Sequence, residues 1–323
     1  MRFTPGRHGS RPLLDALVDD AGLFPPTALT MPDAVARHRA DRAAAEPMLT
    51  QRFLCPASRI AELRGNLVDT DRVDLGLIAD RGADGLAEAC ATVAADPRLS
   101  LALLELPLAA FDEEVEVAVA GALRAVAAAP PSVPAFLEPA APAGVDALLG
   151  AIAARRGGRG GGEDGVRPLG AKLRCGGVRA ELFPAPATVA HFIVGCVAAE
   201  VPFKATAGLH RAVRHRDRAT GFLHHGYLNL LLATAAAAGG AGEEEVQAVL
   251  ESEDTALLGQ QVADLDPESA AAARRSLVGY GSCSTSTPVL EARTIVPGEH
   301  AEHAEHAEHA EEPEQAERKD HSK

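Results

Sequence analysis

The sequence predicts an α/β protein whose main domain, residues 1–296, is a (β/α)8 barrel. Eight short apolar segments alternate with segments rich in helix-forming residues, which is the pattern of successive parallel βα units. An open doubly wound sheet would show the same alternation. We favour the barrel because the chain lacks the strand–glycine loop–helix fingerprint of a dinucleotide-binding fold.

Local sequence patterns indicate where these strands and helices begin and end. Pro25 and Pro26 end a first strand, Pro32 and Asp33 begin a helix, and Pro56 ends the second strand. The predicted strands cover 19–26, 48–57, 73–80, 99–108, 133–140, 168–177, 201–210 and 277–288. The predicted helices cover 11–20, 31–45, 58–68, 82–96, 112–129, 144–156, 188–200, 224–240, 243–253 and 270–277.

The composition narrows the class of protein and of partner. A net charge of −14 disfavours a nucleic-acid partner. Five cysteines without a CxxC pair favour free thiols in a reducing compartment. No apolar run has the length of a signal-peptide core or a membrane span. We therefore expect a cytoplasmic protein with no membrane partner, and assembly into a homo-oligomer stays open.

Two segments are of low complexity. The glycine-rich stretch 155–165 precedes a strand, so we expect a surface loop there and not a phosphate-binding loop. The His/Glu-rich tail, 297–323, lacks the apolar residues of a core and is predicted to be disordered. Its histidines could bind divalent metals weakly: His300, His303, His306 and His309.

Two lysines stand out at predicted strand ends. Lys172 and Lys204 each precede a turn that contains glycine, and 32 residues, one βα unit, separate them. On adjacent strands of a barrel they would face one cavity at the end where loops carry chemistry. Two ammonium groups held together lower a lysine pKa, which can make one of them a nucleophile.

Other polar residues accompany these lysines at the predicted strand ends. Ionisable groups in apolar strands are unfavourable unless they are paired, so the set indicates either a site or a group of ion pairs that closes the barrel mouth. Its members are Asp20, Arg52, Asp80, Glu105, Glu138, Arg174, His210, Ser282 and Ser284.

The segment HHGYLN, 224–229, adds a further pattern. His225 and Asn229 are four residues apart and share a helix face. That face could close over the mouth, with His225 as acid or base and Asn229 on the substrate, or it could pack a helix start. Cys175 and Cys283 could be nucleophiles, although buried apolar packing is the commoner role of a free cysteine.

A family resemblance follows from three of these segments. KLRCGG, VPFKATAGLH and VGYGSCS resemble the last three strands of the deoxyribose-phosphate aldolase group of class I aldolases. The resemblance implies that Lys172 is the Schiff-base lysine and that Lys204 lowers its pKa. It also implies a first-strand aspartate, Asp20, and phosphate binding by backbone amides at Gly208, Gly281 and Ser282.

The resemblance has clear departures. Leu-Arg-Cys follows Lys172 where that group has small hydroxylated residues, and an extra stretch, 211–276, lengthens the seventh connection. The proton-shuttling aspartate of the group has no match, although Glu105 and Glu138 are candidates. The chain as a whole also resembles bacterial proteins without an assigned function.

Three hypotheses follow. The first is a class I lyase or aldolase without cofactor that acts on a small anionic carbonyl compound, with Arg174 holding the anion. The second is a lyase or isomerase that binds Mg²⁺ through Asp80, Glu105 and Glu138, with Lys172 as general base. The third is a non-catalytic binding or scaffold barrel in which the tail is the working part.

Overall fold

The computed structural model describes residues 13–141, 144–157 and 167–297. Most of the predicted glycine-rich loop lies outside these residues, and so does the tail from residue 298 onward, which includes His300, His303, His306 and His309. The described strands are β1 (Val18–Asp20), β2 (Leu49–Pro56), β3 (Val73–Ile78), β4 (Leu99–Pro107), β5 (Ala135–Glu138), β6 (Leu169–Arg174), β7 (Phe203–Thr206), β8 (His215–Arg216), β9 (Leu223–His224) and β10 (Leu277–Ser282).

Eight of these strands form a closed parallel barrel in the order β1-β10-β7-β6-β5-β4-β3-β2. The ring closes because β1 pairs with β10 on one side and with β2 on the other. The predicted (β/α)8 barrel is therefore confirmed. Strands β8 and β9 form a separate antiparallel hairpin, which the sequence did not predict.

Helices follow the strands around the outside of the barrel. They are α1 (Met31–Ala44), α2 (Ile60–Asn66), α3 (Gly82–Ala94), α4 (Val115–Ala125), α5 (Val145–Gly157), α6 (Pro186–Ala198), α7 (Tyr227–Ala238), α8 (Glu243–Glu251), α9 (Thr255–Asp264), α10 (Pro267–Ser276) and α11 (Ser286–Ile295). At the start of α1, Thr30 Oγ1 accepts a hydrogen bond from the Asp33 N–H, which is a standard N-terminal cap.

Strand alternation divides each strand between two environments. Leu104, Leu106, Leu137, Ala171 and Ala205 belong to the main apolar core between the strands and the helices. The intervening positions face the barrel interior. A smaller apolar cluster lies there and contains Ala21, Leu54 and Ile78.

Two interior glycines are closely packed. A Cβ on Gly76 would lie 2.3 Å from Leu54 Cδ2, and one on Gly170 would lie 2.6 Å from the Phe136 ring. Both separations are far below van der Waals contact. Large side chains on some strands therefore occupy the space that glycines leave on the neighbouring strands.

Three predictions about elements were wrong. Residues 13–16 form a turn and not a helix, and the first strand covers 18–20 instead of 19–26. The last predicted strand, 277–288, ends at Ser282, and helix α11 follows. Helix α9 was not predicted, although Asp254 caps it by accepting a hydrogen bond from Leu257 N–H at 3.0 Å.

The stretch Ala180–Ala198 has the length and mean hydropathy, 1.4, by which a helix could cross a membrane. Most of it is α6, which packs against α7, α8 and the barrel. Its buried face includes Val189, Phe192 and Ile193. One face of this apolar helix is therefore buried in the packing of the protein.

Candidate active site

The two lysines lie side by side inside the barrel. Lys172 on β6 is the register partner of Lys204 on β7. Their strand neighbours Ala171, Leu173 and Ala205 pack toward the helices, so both lysine side chains point into the interior. Lys172 is 3 % exposed and Lys204 is fully buried. Each lies two residues before the end of its strand.

The lysines belong to a continuous ion-pair network that runs through the barrel interior. Positive and negative groups alternate along it. In order, its members are Arg52, Asp19, Lys204, Glu105, Lys172, Glu138 and Arg174. Three carboxylates thus face two ammonium and two guanidinium groups, so the network carries one excess positive charge.

Glu105 on β4 is the centre of the network. Its Oε2 lies 2.6 Å from Lys172 Nζ, and its Oε1 lies 3.0 Å from Lys204 Nζ. Each oxygen thus lies within hydrogen-bonding distance of one ammonium group, and the carboxylate can accept a proton from either lysine.

Lys204 is anchored on the far side from Lys172. Its Nζ donates to Asp19 Oδ2, and Asp19 Oδ1 lies 2.7 Å from Arg52 Nε. Thr50 donates to the same Asp19 oxygen at 2.5 Å. Burial raises the pKa of Asp19, but Arg52 and Lys204 outweigh it and lower that pKa to about 2. Asp19 is therefore a fixed anion that holds Lys204.

Lys172 is surrounded by acidic groups. Glu138 Oε2 lies 2.9 Å from its Nζ, in addition to the Glu105 contact. Burial lowers the pKa of Lys172, but the charges of Glu105 and Glu138 outweigh it, so the net effect raises that pKa. The pKa of Glu105, which burial alone would raise, falls to about 2 because Lys172 and Lys204 both contact it.

This geometry corrects the expected electrostatics of the lysine pair. The sequence predicted that Lys204 lowers the pKa of Lys172 by direct repulsion. Glu105 lies between the two ammonium groups and cancels that repulsion. In the free protein Lys172 is therefore protonated at neutral pH, and a nucleophilic amine requires a proton transfer inside the network.

The structure does not bring Asp20, the first-strand aspartate that the sequence singled out, to the lysines. Asp20 does not contact either lysine in the structure: it pairs with Arg37, accepts the Gly22 N–H at 2.9 Å, and lies 3.7 Å from His38. Asp19 takes the interior position instead. Because successive strand residues face opposite sides, Asp20 points toward α1 and Asp19 points into the barrel.

The predicted substrate-binding residues separate into two groups. Arg52 and Arg174 join the network, at opposite ends of it. Ser282 and Ser284 use their hydroxyls locally: Ser282 Oγ donates to Ser284 O at 2.6 Å, and Ser284 Oγ accepts from Thr287 N–H. These two side chains are therefore engaged in the turn into α11.

The two predicted glycines have different settings. Gly281 lies in β10, where a Cβ would come within 3.0 Å of Leu54 Cδ1 inside the barrel. Gly208 follows β7 with a φ of +70°, and a Cβ there would lie 2.9 Å from Cys175 O. Both glycines allow neighbouring backbone and side-chain atoms to approach them closely at the carboxyl ends of the strands.

His210 forms a pair with a cysteine. Its Nδ1 lies 3.3 Å from Cys283 Sγ, and Thr27 Oγ1 donates to the same sulfur at 3.0 Å. Burial lowers the pKa of His210. The other cysteine that the sequence singled out, Cys175, is fully buried, and burial raises the pKa of its thiol. Cys175 therefore behaves as apolar packing.

His225 and Asn229 do not form the expected lid face. His225 is buried, its Nε2 lies 2.8 Å from Pro184 O, and burial lowers its pKa.

The adjacent residue, His224, contacts the neighbouring loops instead. Its ring centroid lies 4.5 Å from that of Phe183, which also touches Phe222. The β8–β9 hairpin thus packs against the loop that follows β6.

Asn229 joins three backbone segments. Its Oδ1 accepts the Arg214 N–H at 2.8 Å, and its Nδ2 donates to Val249 O and Ser252 O at 2.9 and 2.8 Å. It is fully buried at the start of α7. These bonds occupy the whole amide, so the structure gives Asn229 a structural role instead of the predicted contact with substrate.

We expect Asn229→Ala to lower the free energy of unfolding by about 2 to 4 kcal/mol, because one buried N–H and two carbonyls lose their partners. Urea unfolding measures the change. Gln247→Ala is the matched control, since its amide makes a single exposed bond to Glu251, and we expect a change within about 0.5 kcal/mol. Equal stability of the two variants would contradict the structural role.

Asp80 lies apart from the carboxylates with which the sequence grouped it. Its oxygens accept hydrogen bonds from Ser58 N–H at 3.0 Å and Ser58 Oγ at 2.5 Å. Glu105 and Glu138 both face Lys172. Among the described residues no group of three His, Cys, Asp or Glu side chains has the spacing of a metal site. The three carboxylates therefore do not converge.

Asp19 is the site residue that the sequence analysis missed. Val18 is buried against the helices, and alternation from that residue would have placed Asp19 inside the barrel.

No protein-family model and no curated protein matches this chain. The geometry of the ion-pair network is therefore the basis for proposing a function.

Proposed function

We propose that this protein is a lyase of the class I aldolase type, which forms a Schiff base between Lys172 and a small anionic carbonyl compound. The observation that carries the proposal is the pair of buried lysines joined by Glu105 on neighbouring strands of a barrel. Residues at this end of a (β/α)8 barrel form the active sites of such enzymes.

The use of lysine at these positions supports the proposal. The chain contains 27 arginines and four lysines, and two of the four lysines, Lys319 and Lys323, are in the tail. Residues 1–296 thus use arginine for every cationic position other than Lys172 and Lys204. Arginine cannot lose its proton in a protein, whereas lysine can. A purely structural cation would not need to be the exception.

Lys172 is the better candidate for the covalent bond. It retains slight exposure, while Lys204 has none, and it lies closer along the network to the half-exposed Arg174. Lys204 is held by Asp19 and Glu105. The positive charge of Lys204 favours the ionised form of Glu105.

The chemistry uses groups that are already in contact. Lys172 Nζ passes a proton to Glu105 Oε2 or Glu138 Oε2, 2.6 and 2.9 Å away. The free amine attacks the substrate carbonyl, and the protonated carboxylate gives its proton to the departing water, which leaves a protonated imine. The carboxylate then removes the proton of the substrate hydroxyl next to the breaking C–C bond, so that this fragment leaves as an aldehyde or ketone while the bonding electron pair moves toward the imine and forms an enamine. The carboxylate returns the proton to the enamine carbon, and hydrolysis of the imine releases the second product.

A structural network without catalysis is the alternative, and one observation favours it: each carboxylate in the network is matched to a cation. On that alternative the network only closes the barrel interior. The two functions differ in whether Lys172 can form a covalent bond with a carbonyl compound.

Reductive trapping separates them. The purified protein is treated with glycolaldehyde and sodium cyanoborohydride from pH 6 to 10, and the adduct is located by peptide mass mapping. We expect an adduct at Lys172 that forms faster as pH rises, because its raised pKa leaves little free amine at pH 7. Lys172→Met should lose this adduct and retain only the adducts at Lys319, Lys323 and the N-terminal amine.

Lys204→Met is the matched control within the barrel. It removes the other buried lysine but leaves the Lys172 amine, so adduct formation at Lys172 should persist with a changed pH dependence. Labelling confined to the tail lysines and the N-terminus at every pH would refute the proposed function and favour the structural network.

A further inference from the structure

Arg174 is the most exposed member of the ion-pair network. Its side chain is 44 % exposed, compared with 21 % for Arg52 and 7 % or less for the three carboxylates. It ends β6 at the carboxyl end of the barrel strands. A solute that approaches this end of the barrel therefore meets a guanidinium group before the carboxylates.

Only part of this guanidinium is used by the protein. Arg174 Nε lies 2.8 Å from Glu138 Oε1, and no described residue accepts a hydrogen bond from its two Nη groups. Planar Nη donors bind carboxylates and phosphates in a two-pronged geometry. The exposed edge of Arg174 is thus free to bind an anionic group.

Glu138 connects this exposed cation to Lys172. One of its oxygens binds Arg174, and the other lies 2.9 Å from Lys172 Nζ. The remaining charges around Lys172 come from Glu105, Lys204, Asp19 and Arg52 on β4, β7, β1 and β2, and these are buried or contact buried partners. Glu138 is thus the carboxylate whose surroundings a bound solute changes most.

We propose that Arg174 couples the binding of an anionic substrate to release of the Lys172 amine. An anionic group of the substrate draws Arg174 away from Glu138, and Glu138 then accepts a proton from Lys172 Nζ. The pair keeps its total charge, since Glu138 becomes a neutral acid as Lys172 becomes a neutral amine. This inference rests on the proposed Schiff-base function.

The direction of this transfer follows from the contacts. Arg174 touches Glu138 and not Lys172, so its loss raises the proton affinity of the carboxylate more than that of the amine. Burial also favours the neutral pair over the ion pair once the substrate covers it. The pKa of Glu138, which burial raises, is lowered by Lys172 and by Arg174, which is consistent with control by the arginine.

The spacing limits the substrate. Arg174 and Lys172 are two residues apart on one strand, with their Cα atoms roughly 7 Å apart. An anionic group on the arginine and a carbonyl carbon at Nζ can therefore belong to one small molecule with a few bonds between them. We infer a short aldehyde or ketone that carries a carboxylate or a phosphate group.

Reductive trapping at pH 7 with three aldehydes tests this inference. The probes are glycolaldehyde, glyoxylate and glycolaldehyde phosphate, which are neutral, a carboxylate and a phosphate ester. Each rate is divided by that of Nα-acetyl-lysine to remove differences in intrinsic reactivity. We expect wild-type protein to trap at least one anionic probe roughly tenfold faster than glycolaldehyde, the change in free amine that one pKa unit gives.

The Arg174→Met variant has an unusual expected result. It should lose the preference for anionic probes and at the same time trap glycolaldehyde several-fold faster than wild type, because Glu138 no longer has its arginine. An arginine that served only to bind anions, or only to support the fold, would not accelerate the neutral probe. Arg174→Lys should restore part of both properties.

Arg39→Met is the matched control, since Arg39 has a similar exposure, 41 %, and pairs with Asp71 outside the network. It should behave as wild type. For wild-type protein alone, added phosphate or formate should accelerate trapping of glycolaldehyde at Lys172, which tests the coupling even if a variant does not fold.

The outcomes distinguish this inference from the proposed function. Adducts at Lys172 with equal normalised rates for all three probes, and no acceleration by added anions, would overturn the coupling and leave the Schiff-base function standing. A parallel loss of rate for every probe in Arg174→Met would also overturn it. Absence of any adduct at Lys172 from pH 6 to 10 would overturn both.

Discussion

Glu105→Gln should lower the free energy of unfolding by about 3 to 5 kcal/mol, the effect of breaking a buried ion pair from one side. The two ammonium groups of Lys172 and Lys204 share this carboxylate, and both are buried. Without its charge each lysine keeps a single anionic partner, and the network gains a second excess positive charge. Urea unfolding at pH 7 measures the loss.

A double variant shows that charge balance is the cause. In Glu105→Gln/Lys204→Met the second excess charge is removed and the network returns to the wild-type excess of one, while Asp19 still has Arg52 and Thr50 as partners. We expect the double variant to be more stable than Glu105→Gln, because replacing both partners of a buried pair is far less harmful than removing one. If the loss of stability in the double variant equalled the sum of the losses in Glu105→Gln and Lys204→Met, this explanation would be contradicted.

The control for this series is Glu62→Gln. Glu62 also pairs with a cation, Arg59, but its side chain is 46 % exposed. Exposed ion pairs contribute little because water screens them. We expect a change within about 0.5 kcal/mol, so a loss comparable to that of Glu105→Gln would mean that burial is not the source of the effect.

Acid should destabilise the protein strongly between about pH 4.5 and pH 2. The pKa values of Asp19 and Glu105 are each lowered to about 2 from ordinary values of 3.8 and 4.5. Folding lowers both pKa values. The stability that the two ionised carboxylates contribute is therefore fully present above their ordinary pKa values and is lost as pH falls toward 2. The loss is about 2 to 3 kcal/mol for each group.

Urea unfolding at pH 7, 5, 4 and 3 tests this dependence. Glu105→Gln supplies the comparison, because it lacks one of the two titrating groups and should lose less stability over the same range. Asp96, whose pKa Arg98 lowers outside the network, contributes equally to both proteins and cancels. Curves of equal slope for the variant and the wild type would show that Glu105 does not titrate as the ion pairs require.

The raised pKa of Lys172 acts at the other end of the pH range. A cation whose pKa is raised on folding contributes stability below its ordinary value of 10.5, and this contribution disappears only as pH rises through the folded pKa. Neutral pH therefore lies inside the range where the whole network is charged. The same protonation that stabilises the barrel keeps the amine unreactive until a proton moves.

Most of the fold could be predicted because its pattern is local. Helix α1 begins where Pro32 and Asp33 predict it, and the apolar strands appear between helices as expected. The boundaries of β1 and of the last strand were wrong, since a strand of three residues such as Val18–Asp20 has too few residues to show an alternation of its own. The β8–β9 hairpin was likewise too short to recognise.

The sequence by itself determined a (β/α)8 barrel with Lys172 and Lys204 on neighbouring strands, because strand period and βα spacing are properties of short segments. Only the tertiary structure decided that Asp19 and not Asp20 holds Lys204, and that Glu105 separates the two lysines. Those contacts join strands far apart in sequence, and their charges set the protonation of Lys172. Register and burial, which arise only when the barrel closes, therefore decide the chemistry of these side chains.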